Sequence, residues 1–148
     1  MSLDLHLDAL KTRIEAVTGV GQVVKYYRYV PKESERKAYY VGSDSKLHPW
    51  VLTREATDCE DFGTWERDVH RIVARHYRAV LENADDELAA QTEIEAVRAA
   101  LNANRQLGTV GYIKVPVRVR TVAWVEWMGV KINVYAELLI LTEDRDRE

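Results

Sequence analysis

The chain has 148 residues, 24 acidic and 21 basic side chains, a formal net charge of −3, and 47% apolar residues. That is the size and balance of one globular domain, and 7 glycines with 3 prolines are too few for a collagen-like or linker-like chain. The charge exerts no global pull toward nucleic acid or anionic lipid, and a single cysteine, Cys59, cannot form an internal disulfide.

Leu3, Leu7, Leu10, Ile14 and Val17 recur at spacings of four and three, which predicts an amphipathic helix with Asp4, Asp8, Lys11 and Glu15 toward water. The segment Met1 to Asp8 has neither the basic start nor the apolar stretch of a secretory signal, so no leader is expected. Gly19 and Gly21 stop the helix. Gln22 to Val30 is dense in β-branched and aromatic residues and ends at Pro31, the pattern of a strand. Residues 31–48, with four basic and three acidic side chains, predict a long loop or extended hairpin. Connections of that length are uncommon unless they are functional or mobile. Trp50 to Thr57 predicts a second strand, closed by an acidic turn of Asp58, Cys59, Glu60 and Asp61.

From Trp65 to Val80 the positions Val69, Ile72, Val73, His76, Tyr77 and Val80 fit a helical stripe better than an alternation, so periodicity predicts a helix. Asp85 to Asn104 predicts a further helix, with Asp85, Asp86 and Glu87 at its positive N-terminal end and Ile94, Val97 and Leu101 as the buried stripe. After Gly108 and Gly111 the alternation of Val115, Val117, Val119 and Thr121, then Trp124 to Trp127, Gly129 and Val130 to Leu141, predicts a hairpin. Pro116 lacks a ladder donor and marks an edge position. The longest aliphatic run, Leu138 to Leu141, falls far short of the roughly 20 residues that cross a bilayer. Residues 142–148 are charged at six of seven positions and predict a mobile tail, which leaves residues 1–141 as one domain.

Chemistry is sparse in this pattern. A metal site needs converging His, Cys or carboxylate ligands, and the four histidines are not expected to converge; His70 and His76, on one strand, would lie roughly 20 Å apart. Cys59 stands among carboxylates, which raise a thiol pKa where a nucleophile needs it lowered. The chain has no Gly-x-Ser-x-Gly elbow, P-loop or dinucleotide fingerprint. No catalytic residue, cofactor or metal ligand is assigned. Arg67, Arg71 and Arg75 share a face on a helix or a strand. With Arg78 and Tyr77 they could form a nucleic-acid stripe, but Glu66, Asp68 and Glu82 neutralise much of it, and a solvated face or a set of ion pairs at a subunit interface is the simpler reading. Tyr39 and Tyr40 serve either as interface anchors or in local packing.

The order of segments carries one more signal. Gly19-Val20-Gly21-Gln22-Val23-Val24, Tyr26-Tyr27-Arg28, Trp50-Val51-Leu52-Thr53-Arg54-Glu55, Val69-His70-Arg71-Ile72-Val73 with Tyr77, the acidic-capped helix, and Tyr135-Ala136-Glu137-Leu138 together resemble the tail-terminator-like proteins of tailed bacteriophages and prophages. The resemblance spans nearly the whole chain and rests on order and spacing. It implies an α+β fold, a mixed and mostly antiparallel β-sheet with two main helices packed on one face, in the order α-β-β-β-α-β-β. It also implies that Val69 to Tyr77 is a strand, against the periodicity, and the strand is the reading adopted; His76 stands where the family often has glycine.

Functionally the resemblance implies a virion-tail protein, assembled in the host cytoplasm, that is no enzyme. Its copies form a ring, typically of six, that caps the tail tube. The expected partners are its own copies, the major tail tube protein and a head-side connector or neck protein, with neither membrane nor specific nucleic acid. The expected contacts are Arg36, Lys37, Tyr39 and Tyr40 in the 31–48 loop, Arg67, Arg71 and Arg75, and Trp127 and Lys131 beside the Gly129 hairpin turn. Rival readings are a neck or tail-completion protein of similar fold, a nucleic-acid-binding module using Arg67, Arg71, Arg75, Arg118 and Arg120, and a small-molecule or hydrolytic domain with a scattered site.

Overall fold

A computed structural model of the chain describes residues 2–27, 39–41, 47–61, 63, 66–80, 85–128 and 130–144. In chain order these form helix α1 (Ser2–Glu15) and strands β1 (Val23–Lys25), β2 (Trp50–Asp61) and β3 (Glu66–Ala79). Helix α2 (Asp85–Ala103) follows, then strands β4 (Gln106–Leu107), β5 (Gly111–Ile113), β6 (Arg118–Trp127) and β7 (Val130–Asp144). The sheet runs β1-β2-β3-β7-β5-β4, with β6 also paired to β7. Only β1 is parallel to its neighbour, so the fold is α+β with a mixed, mostly antiparallel sheet, as the resemblance implied.

Both helices lie on one face. The stripe Leu3, Leu7, Leu10 and Ile14 of α1 and the stripe Ala90, Ile94, Val97 and Leu101 of α2 are buried in one core with Trp50, Leu52, Ile72, Ala74, Val134, Ala136, Leu138 and Ile140 of the sheet. Each fully buried aliphatic side chain contributes about 1.5–3 kcal/mol, so this layer dominates the stability. Val73 and Leu139 point to the opposite face and are also buried, under the charged side chains described below.

Residues 66–79 are the strand that the resemblance implies, against the helix that periodicity predicts: β3 pairs with β2 and β7 on its two sides and buries Ile72, Val73 and Ala74 in succession, so no alternation is left to see. Three other expectations change. The first strand ends at Lys25 because Tyr26 turns to φ 71°, a left-handed conformation. The acidic segment Asp58 to Asp61 continues β2, paired opposite Glu66 to Val69. The C-terminal boundary moves too. Thr142 and Glu143 are buried in β7, which runs to Asp144, because β5 and β3 flank it there.

Candidate functional site

Arg67, Arg71 and Arg75 sit at every fourth position of β3 and share the sheet face away from the helices, as their spacing predicts. Each meets an acid of this same chain. Arg67 Nη1 donates to Glu143 Oε1 at 2.9 Å, and Tyr112 donates its hydroxyl to Glu143 Oε2 at 2.6 Å. Burial raises the Glu143 pKa, but these hydrogen bonds and the nearby Lys114 and Arg67 charges bring it below the usual carboxylate range. Arg75 bonds Thr53, donates to the Tyr135 hydroxyl at 3.1 Å and lies 3.5 Å from Glu137. Arg120 of β6 bridges Glu137 at 3.1 Å and Glu55 at 2.7 Å, and Glu55 lies 3.9 Å from Arg71. This lattice covers Val73 and Leu139, and it neutralises the face that the nucleic-acid reading would need bare.

The tyrosines form a second group at the end of the same face. Trp127 stacks on Tyr77 with centroids 4.1 Å apart and meets Tyr40 edge-on at 5.1 Å. Tyr40 meets Tyr39 at 4.7 Å, Tyr27 and Tyr77 share a hydroxyl contact of 2.7 Å, and Tyr39 donates to the Tyr26 carbonyl at 2.9 Å. Tyr40 is buried with Val24 and Val51, so its area goes to local packing. Arg36 and Lys37 lie outside the described residues, as does the side chain of Lys131, whose backbone belongs to β7.

On the helix side the structure gathers groups that the sequence reading left apart. Glu93 of α2 is buried, and its Oε1 accepts from His48 Nδ1 at 2.7 Å and Arg78 Nη1 at 2.6 Å while Oε2 accepts from Trp50 Nε1 at 2.7 Å. His76 stacks on Trp50 at 4.3 Å, with Nδ1 donating to the Pro49 carbonyl at 3.0 Å. Burial above all pushes His76 down to about 4, against the pull of Glu93. Burial also raises Glu93, but the His48 hydrogen bond, the His76 and His48 charges and the Trp50 bond outweigh it and hold the carboxyl below its ordinary value. Arg78 and Glu93 also line a cleft of about 370 Å³ with Thr18, Gly19, Leu88 and Thr92.

No known family model matches this chain, and no curated protein matches it either.

The remaining histidines meet elsewhere. His6 of α1 and His70 of β3 are both buried and contact edge to face at 5.1 Å, beside Asp144 at the end of β7. The expectation that the histidines stay apart therefore fails for His6 with His70, and for His48 with His76 around Glu93; it holds for His70 and His76, which are held in separate clusters. Two signals could have exposed this. His6 and Glu93 each fall on the apolar stripe of a helix, at i+3 from Leu3 and Ala90, where a polar residue must find a buried partner. Asp144 carried no such signal, since it sits in a uniformly charged stretch. Cys59 is exposed on β2, and slight desolvation, its hydrogen bond to Glu66 and the Glu66, Asp68 and Asp61 charges push the thiol up, as its acidic surroundings predict.

Proposed function

We propose that the chain is a ring-forming subunit of the tail-terminator kind, which caps a tail tube, ends its polymerisation and presents a surface to the head-side neck. Its copies would be its first partners, the tube protein and a neck protein the next, and its place the neck-proximal end of a virion tail. Among the described residues no helix is long and apolar enough to cross a membrane.

The observation that supports this reading is that two long strands, over most of their length, pair on one side only among the described residues. Among the described strands, β6 pairs only with β7, and β2 pairs with β1 only from Trp50 to Leu52, so β6 and the rest of β2 present unpaired backbone on opposite sides of the sheet. The two edges differ. β6 carries exposed Val122 and Trp124 with Arg118, whereas β2 past Leu52 carries Asp58 and Asp61; Arg120 and Glu55 already pair with each other within the chain, as do Lys114 and Glu60. An unpaired edge invites a neighbour's strand, and joining two unlike patches makes a head-to-tail contact that closes into a ring when the rotation allows. The acidic β2 patch repels its own copy, which disfavours joining like with like.

The test combines mass measurement with electron microscopy of tail tubes assembled with and without the protein. Rings on the tube end and uniform tube length only in its presence are expected. A chain that stays monomeric at high concentration and forms no ring when offered tube protein, or tubes that stop at the same length without it, refutes the reading.

A further inference from the structure

The geometry points to a binding site for a borderline divalent transition-metal ion, of the class of Zn2+, formed by His6, His70 and Asp144. These residues come from α1, β3 and the end of β7, and one ligand atom of each lies within 4.8 Å of the others. Ligands that share a zinc ion at about 2.0–2.1 Å stand roughly 3.3 Å apart, so the set closes with a small movement, which Asp144, partly exposed at its strand end, is free to supply.

Three details suit a metal better than a simple ion pair. First, the Nδ1 atoms of the two rings are held by hydroxyls: His6 by Thr142 Oγ1 at 2.7 Å and His70 by Thr57 Oγ1 at 2.9 Å. A neutral ring that donates from Nδ1 keeps its lone pair on Nε2, and such outer contacts orient histidine ligands in metal sites. Second, His6 Nε2 is buried and lies 3.0 Å from Asp144 Oδ1, so two of the ligand atoms already face each other. Third, position 111 is glycine, and a Cβ there would stand 2.9 Å from His6 Nε2, closing the space beside the coordinating atom. Two imidazole nitrogens with one carboxylate oxygen suit Zn2+ and its neighbours, whereas Mg2+ and Ca2+ prefer oxygen alone. Three protein ligands leave the fourth tetrahedral position to water.

The experiment is calorimetric titration of the metal-stripped full chain with Zn2+, with Co2+ as a spectroscopic probe. One Zn2+ per chain, a raised melting temperature, and visible Co2+ d–d bands of tetrahedral or five-coordinate intensity are expected. Asp144→Asn and His70→Gln, each checked for native circular dichroism, should weaken binding by about 100-fold or more, beyond the 10–100-fold typical of outer-contact changes. Thr57→Val, which touches no metal, should weaken it by about tenfold and leave the stoichiometry at one. Absence of Zn2+ binding in the unaltered chain overturns the proposal. So does binding that survives unchanged in both ligand variants, because the ion would then be held elsewhere.

Discussion

Replacing Glu93 with alanine tests whether a buried carboxylate anchors α2 to the sheet. The side chain accepts from Arg78, His48 and Trp50 and is almost fully buried, and the Arg78 side chain is only 18% exposed. Breaking a buried ion pair by removing one partner costs about 3–5 kcal/mol, since the other charge is left uncompensated. The two stranded N–H donors would add about 1–3 kcal/mol each if nothing replaced the carboxylate. Arg78 lines the cleft, however, so water can reach part of the gap and the terms overlap. A net loss of about 3–5 kcal/mol is expected, read by urea denaturation, with a fall in melting temperature of roughly 6–20 °C for a domain of this size. Adding Arg78→Met should recover at least about 1 kcal/mol, the coupling expected of residues in contact. A Glu93→Ala cost below about 1 kcal/mol, or strict additivity with Arg78→Met, would refute the argument.

The other expectations are these. His76 is pushed down to about 4 in the fold, chiefly by burial, and His6 and His70 are also lowered, so the unfolded chain takes up these protons first as pH falls. The stability that His76 contributes is complete above about pH 6.5 and drains away toward pH 4, at about 1.4 kcal/mol per pH unit, and His6 and His70 add losses of the same sign. Urea titrations at pH 7, 6 and 5 would show this, and a flat profile would contradict it. Gly111→Ala places a Cβ 2.2 Å from the Glu143 carbonyl oxygen, so backbone must move; a loss of about 1–3 kcal/mol is expected in denaturant melts, and a neutral result would refute the close β5–β7 approach as the reason for glycine here. Trp124→Glu alters a side chain that is 61% exposed, so stability should stay within about 0.5 kcal/mol while ring formation, followed by light scattering, is lost. Unchanged assembly would remove the β6 edge from the interface.

The helices were readable because an amphipathic stripe reports one buried side. Leu3, Leu7, Leu10 and Ile14, and Ile94, Val97 and Leu101, are the residues that pack on the sheet. The β6–β7 hairpin was readable from its alternation and from the break near Gly129. β3 was hidden from periodicity for the opposite reason. Flanked on both sides and covered on both faces, it places apolar or shielded residues at successive positions, and the resulting stripe mimics a helix. The two-residue and three-residue strands β4 and β5 exist only through tertiary pairing and left no pattern. The arginine face was predicted as a face, but its neutralisation by Glu55, Glu137 and Glu143 needed the strand register, which local sequence does not carry.

The position of β3 between β2 and β7 also dictates the order in which this polypeptide can mature. A ribosome releases α1, the β2–β3 hairpin and α2 well before β7, the strand that completes the middle of the sheet. Until then β3 has one naked flank and the two helices have only half a floor, a nascent state prone to wrong partners. Pairings so distant along the chain make folding slow, so cells producing this protein in bulk would need to shelter it from its own copies until translation reaches the last strand.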